Sequence, residues 1–205
     1  MTIHKNKKLT ISIALVLAST LLLSAFFVPI GGESIGTRIG LLANLGLNNR
    51  SDNIVATVNG EEICYYRIRT SIDGNYLLSG TLRAFDDVLN FYIERTLLIQ
   101  AARNNGVFVD EDAIRDNINR DRLFFANNAE WMGIIEDWAN AVGVTIDYYW
   151  DVMQFQRHYN DALQYYLLQS ISQERGNEGR EMNDIRAELL EQLRAEADIQ
   201  ILYRR

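Results

Sequence analysis

Three lysines, Lys5, Lys7 and Lys8, open the chain, and residues 9–30 then carry no charge at all. As a helix this apolar run would measure about 33 Å, enough to cross a hydrocarbon core of about 30 Å. A cleavable leader has a shorter apolar region, about 7–15 residues, followed by a small-x-small site. The nearest such triplet here is Ser34-Ile35-Gly36, late and poor. The pattern therefore predicts a single-pass membrane anchor over residues 1–30, with the lysines cytoplasmic and the body extracytoplasmic. Cleavage would instead give a secreted protein. Residues 31–53 hold five glycines and a polar end, and read as a linker with one short amphipathic turn through Ile35, Ile39 and Leu42.

From Ile54 the periodicity changes. Ile54-Val55-Ala56-Thr57-Val58 is β-branched and alternating, and Asn59-Gly60 follows as a turn signal. Apolar positions then recur at helical spacing. A first helix is predicted over 64–76, and a second over 81–105 with Phe85, Val88, Leu89, Tyr92, Ile93 and Leu97 on one broad face. Asp110 caps a third, with Ile114, Ile118 and Phe125 inward. Trp131, Ile134, Ile135, Trp138 and Val142 mark a fourth that stops at Gly143. Thr145 caps a long fifth, reaching about residue 172, with Val152, Tyr159, Leu163, Tyr166 and Leu167 at helical spacing. Residues 173–183 form a polar loop, and a last helix covers 184–197. Ile199 and Ile201 then alternate with Asp198 and Gln200 as a second strand. Two lone strands at opposite ends of a helical body are stable only if they pair, which makes 54–205 one closed, mainly α domain.

Charge and composition narrow the function classes. The net charge is −7, and beyond residue 30 stand 17 arginines against 27 acids. A nucleic-acid binder needs a basic face, so nucleic acid is not an expected partner. One cysteine, Cys64, excludes an internal disulfide framework, and two histidines, His4 and His158, cannot build a His-rich metal centre. The acidic pairs Asp86-Asp87 and Glu136-Asp137 lie within helices beside an apolar stripe, and Asp110-Glu111-Asp112 is a cap; none has calcium-loop spacing. No phosphate loop or nucleophile–base context is present, so catalytic residues, metal and cofactors are all expected to be none.

Four strings, taken in order, carry a family resemblance. Val55-Ala56-Thr57-Val58-Asn59-Gly60-Glu61-Glu62-Ile63 resembles the "VA-x-VNG-x-x-I" start of the SurA/PrsA/PpiD group of export foldases. Tyr92-Ile93-Glu94-Arg95-Thr96-Leu97-Leu98-Ile99-Gln100-Ala101-Ala102 is similar to that group's "lI-x-x-xLl-x-qeA" helix. Gly106-Val107-Phe108-Val109-Asp110-Glu111-Asp112 resembles its "G-I-x-V-s-d-e-e" segment, and Leu193-Arg194-Ala195-Glu196-Ala197-Asp198-Ile199-Gln200-Ile201 its closing "LR-x-kA-x-I-x-i". The likeness covers 54–118 and 185–203. Cys64 stands where the family has a Ser or Thr helix cap, and the loop 173–183 stands where the parvulin isomerase domain would be inserted. The resemblance implies the peptide-binding chaperone half of the function without isomerase activity.

Aromatic residues crowd the middle of the chain: Phe124, Phe125, Trp131, Trp138, Tyr148, Tyr149, Trp150, Tyr165 and Tyr166. Adjacent residues on a helix point about 100° apart, so one core face cannot take them all. These nine are the candidate peptide-binding residues, suited to sequence-tolerant contact with apolar segments. The expected partners are unfolded or exported polypeptides, with the membrane engaged through residues 9–30. The alternative is a structural or adaptor domain that binds one fixed envelope partner or itself. Nothing in the sequence specifies an oligomeric state.

Overall fold

The computed structural model describes residues 53–174 and 181–203, together with Thr37 and Gly40. The proposed anchor at 1–30, most of the linker and residues 175–180 lie outside the described residues. Among those described, no helix is long and apolar enough to cross a membrane.

The domain begins with β1 (Ile54–Val58), which pairs antiparallel with β2 (Glu61–Cys64). Asn59 and Gly60 join them with φ of 50° and 82°. Positive φ at both central positions defines the tight hairpin turn whose twist matches the strands, and Asn-Gly is the residue pair that adopts it most readily. On its other side β1 pairs antiparallel with β3 (Ile199–Ile201): Ala56 faces Ile201, Thr57 faces Gln200, and Val58 faces Ile199. The expected pairing of the first strand with the last is therefore present. The two-stranded form is corrected to three strands in the order β2-β1-β3. The periodicity marks no strand between the turn at Asn59-Gly60 and the helix expected from 64, and β2 occupies those residues. β1 is the central strand, and its Val55, Ala56 and Val58 are buried, so the residues with least tolerance for water sit where both edges are covered.

Between β2 and β3 the described chain is helical: α1 (Tyr65–Ser79), α2 (Phe85–Asn104), α3 (Glu111–Ala126), α4 (Ala129–Val142), a continuous rod from Ile146 to Glu174, and α7 (Met182–Glu196). The rod comprises a short turn α5 (Ile146–Tyr148), a π-helical stretch (Tyr149–Gln154) and α6 (Phe155–Glu174). Cys64 stands at the N-cap of α1 and makes no side-chain cap bond, as expected for a thiol.

α2 is the hub. It buries Val88, Leu89, Ile93, Leu97, Leu98, Ile99, Ala101 and Ala102, more than one stripe, and packs against α1, α6, α7 and the sheet. A helix apolar on several sides is one surrounded by neighbours. Two polar junctions fix its position. Gln100 Nε2 donates to the Val58 carbonyl at 2.9 Å and to Glu61 at 3.1 Å, while its Oε1 accepts from Asn59 Nδ2 at 2.8 Å. Glu94 accepts from Arg186 at 2.8 Å and Arg194 at 3.3 Å, joining α2 to α7. One continuous core, including Ile68, Ile93, Leu97, Leu163, Leu167 and Ile185, joins the sheet to the helices.

Candidate functional site

α3, α4 and the start of the rod form a lobe whose Ile114, Ile118, Ile135 and Trp150 join this core. Three local signals shape it. Asp110 Oδ1 accepts from the Asp112 and Ala113 N–H groups and starts α3. Asn128 Oδ1 accepts from Trp131 N at 3.3 Å and starts α4, which ends where the Gly143 N–H returns to the Ala139 and Asn140 carbonyls. Thr145 Oγ1 accepts from Tyr148 N at 3.1 Å and starts the rod. Arg122 on α3 pairs with Asp147 and reaches Asp151 at 3.9 Å, tying α3 to the rod's first turns.

Six of the nine candidate aromatics form one chain of ring contacts inside this lobe. Phe124 meets Phe125 edge-on at 5.5 Å; Phe125 meets Trp131 at 6.3 Å and Trp150 at 5.7 Å. Trp150 meets Tyr149 at 4.9 Å, and Tyr149 meets Trp138 at 5.3 Å. Such edge-on pairs at 4.5–7 Å add about 0.5–1.5 kcal/mol each beyond their buried area. The chain is graded in exposure. Phe124 is 57% exposed, Phe125, Trp131, Trp138 and Tyr149 are half-buried, and Trp150 is 2% exposed. Leu123 and Tyr148 add further exposed apolar surface beside it.

Three candidates are placed differently from the expectation of one cluster. Trp150 is a core residue and presents nothing to a ligand; its Nε1–H meets no acceptor among the described residues. Tyr165 and Tyr166 are exposed and contact each other at 5.5 Å, on α6 and apart from the lobe's ring chain. Val152 and Tyr166, whose spacing predicted an inward position, are both exposed. The π-helical stretch is the cause for Val152: its wider turn slips the phase of the helix, turning Trp150 in and Val152 out.

Phe108 was missed as a surface feature. It is 82% exposed and stands between two clefts of about 400 and 340 Å³, the second of which also takes in Tyr166 and Ile171. The available signal was its position in a non-helical segment after Gly106, where no helix face could bury it.

Burial holds the Asp121 carboxyl above its ordinary range, opposed first by His158, whose Nε2 lies 3.5 Å from it. Burial likewise raises the Tyr149 phenol, opposed first by Arg157. His158 thus stands against Asp121 on α3, while Cys64 is at the sheet end of α1. Among the described residues no group of three His, Cys, Asp or Glu side chains could hold a metal ion. No protein-family model, no curated protein and no solved structure matches the chain.

Proposed function

We propose that this chain is a membrane-tethered, extracytoplasmic holdase-type chaperone that captures unfolded or exported polypeptides without isomerase activity. The observation that carries the reading is the lobe: rings in continuous contact from the buried Trp150 out to the exposed Phe124, with Leu123 and Tyr148 also in solvent. Its mechanism is reversible burial of apolar client segments against rigid rings, which costs little side-chain entropy and imposes little sequence preference. The closure of β1 against β3 around the helices supports the resemblance to the SurA/PrsA/PpiD peptide-binding module, since that is the arrangement the four strings imply.

The test is aggregation suppression by fragment 53–205, which contains all three strands and the described core. Light scattering of a heat-unfolding enzyme is expected to fall with added fragment, and a Phe124→Ser/Tyr148→Ser variant of equal thermal stability is expected to lose most of that effect. No suppression at several-fold molar excess refutes the reading. Capture of one stoichiometric envelope protein in its place establishes the adaptor alternative.

A further inference from the structure

α4 carries a second zone of burial that the central core does not explain. Ala139 and Val142 are 1% and 7% exposed, yet neither belongs to the continuous core, which Ile135 one turn earlier on the same helix does join. Against this stretch lies helical backbone from upstream of the domain, at Gly40. Gly40 is buried, and a Cβ placed on it would lie 2.6 Å from the Ala141 Cβ, 2.6 Å from the Trp138 carbonyl oxygen and 3.1 Å from the Trp138 Cα. Two of these three neighbours are backbone and cannot rotate aside. The approach therefore demands a residue with no side chain, which is the use of glycine where one backbone meets another.

The occupant belongs to the same molecule on grounds of reach. The chain from Gly40 to Ile54 spans up to about 48 Å, whereas a domain of this size has a radius of gyration of about 15 Å. A segment so tethered competes at high effective concentration against anything in solution.

We propose that the Trp138–Ala141 face of α4 is a helix-binding surface that the chain fills with its own segment at Gly40. A client that engages this face of α4 must displace the segment, a step that rests on the chaperone reading above. Any helix taking the same seat must present a glycine at the contact.

The test uses full-length protein in lipid nanodiscs, as wild type, Gly40→Ala and Gly40→Leu. Hydrogen exchange is read at the amides of 138–142, with 97–102 in α2 as the internal control, and binding is measured to a reduced, alkylated, permanently unfolded protein. Gly40→Leu is expected to speed exchange at 138–142 at least tenfold with α2 unchanged, and to tighten client binding at least threefold, with Gly40→Ala between. If α2 also exchanges faster in the leucine variant, the alanine variant decides by the same two readouts. Unchanged exchange at 138–142 overturns the docking. Faster exchange with unchanged client binding overturns the competition. A wild-type dimer that the leucine variant converts to monomer assigns the seat to a second copy and overturns occupancy within one molecule. Absence of client binding by every variant refutes the chaperone reading instead, and the exchange data still decide the docking.

Discussion

Deleting residues 198–205 should destabilise the entire domain, including helices far away in sequence. The deletion removes β3 and four hydrogen bonds outside the ladder proper. Asn59 N–H donates to the Asp198 carbonyl at 2.8 Å, and Asp198 N–H donates to Asn59 Oδ1 at 2.9 Å. Leu202 and Tyr203 N–H groups both donate to the Val55 carbonyl, at 2.8 and 3.1 Å. At a net value of about 1 kcal/mol each, with Val55 shared, these contribute about 3–4 kcal/mol. Tyr203 also stacks on Phe85 at 4.6 Å and on Tyr65 at 6.2 Å, adding about 1–2 kcal/mol. A total near 5 kcal/mol is a third or more of the 5–15 kcal/mol that holds an ordinary domain together. For a domain of this size it corresponds to a Tm lowered by about 10–20 °C. Thermal melts of fragments 53–205 and 53–197, followed by circular dichroism at the helix band, make the comparison. The control Tyr203→Ser should account for only the stacking share, a few degrees. A truncated fragment that melts within about 3 °C of the parent would show that the strand closure is decorative and that the helices stand without it.

Three further outcomes follow from particular side chains. Gln100→Leu keeps the bulk but removes the donor to the Val58 carbonyl and the partner of Asn59; it should cost about 1–3 kcal/mol, read as a shift of the urea midpoint at constant slope, and no shift would remove the junction from the account of the fold. Trp150→Phe deletes part of a buried ring together with an N–H that meets no acceptor among the described residues. The two effects oppose each other, so the loss should stay under about 1 kcal/mol, well below the 3–5 kcal/mol of a Trp or Phe truncated to Ala; a larger loss would show that the indole nitrogen is satisfied in solution. Asp121→Asn tests the sign of a raised carboxyl. In the folded state this group holds its proton to higher pH than in the unfolded chain, so its contribution to stability falls as pH rises from the ordinary value of 3.8 through the folded value. The variant should therefore gain Tm over wild type above that window and lose the advantage below about pH 3; a difference that grows toward acid would reverse the assignment.

How much of this was legible in the sequence depended on whether the deciding signal was local. Asp110 and Thr145 cap the helices they were expected to cap, because each needs only the N–H groups two or three residues on. Gly143 closes α4 for a similarly local reason. The pairing of β1 with β3 is not local, yet it was accessible by elimination, since two alternating segments without other partners leave little choice. β2 escaped the same logic. Glu61 and Glu62 are exposed, only Ile63 of the four residues is buried, and so the segment shows no alternation that periodicity could detect. The Asn59-Gly60 pair was the better guide, because a turn with positive φ at both positions exists to bring a second strand back along the first.

The candidate site was less legible, and the reason is one of phase. A hydrophobic repeat assigns residues to faces only while the helix keeps 3.6 residues per turn. Along α2, where that holds, Val88, Leu89, Ile93 and Leu97 of the predicted face are buried, and its Phe85 and Tyr92 are half-buried. Within Tyr149–Gln154 the turn widens, so every assignment that crosses it from Thr145 carries an error. Val152 moved out and Trp150 moved in, and Tyr149 was left between Trp150 and Trp138 as the link that carries the ring contacts across to α4. The wide turn thus carries the two rings, Tyr149 and Trp150, that link α4 to α3. π-helical turns inside otherwise regular helices recur at functional sites, and this one holds two of the six linked rings of the lobe.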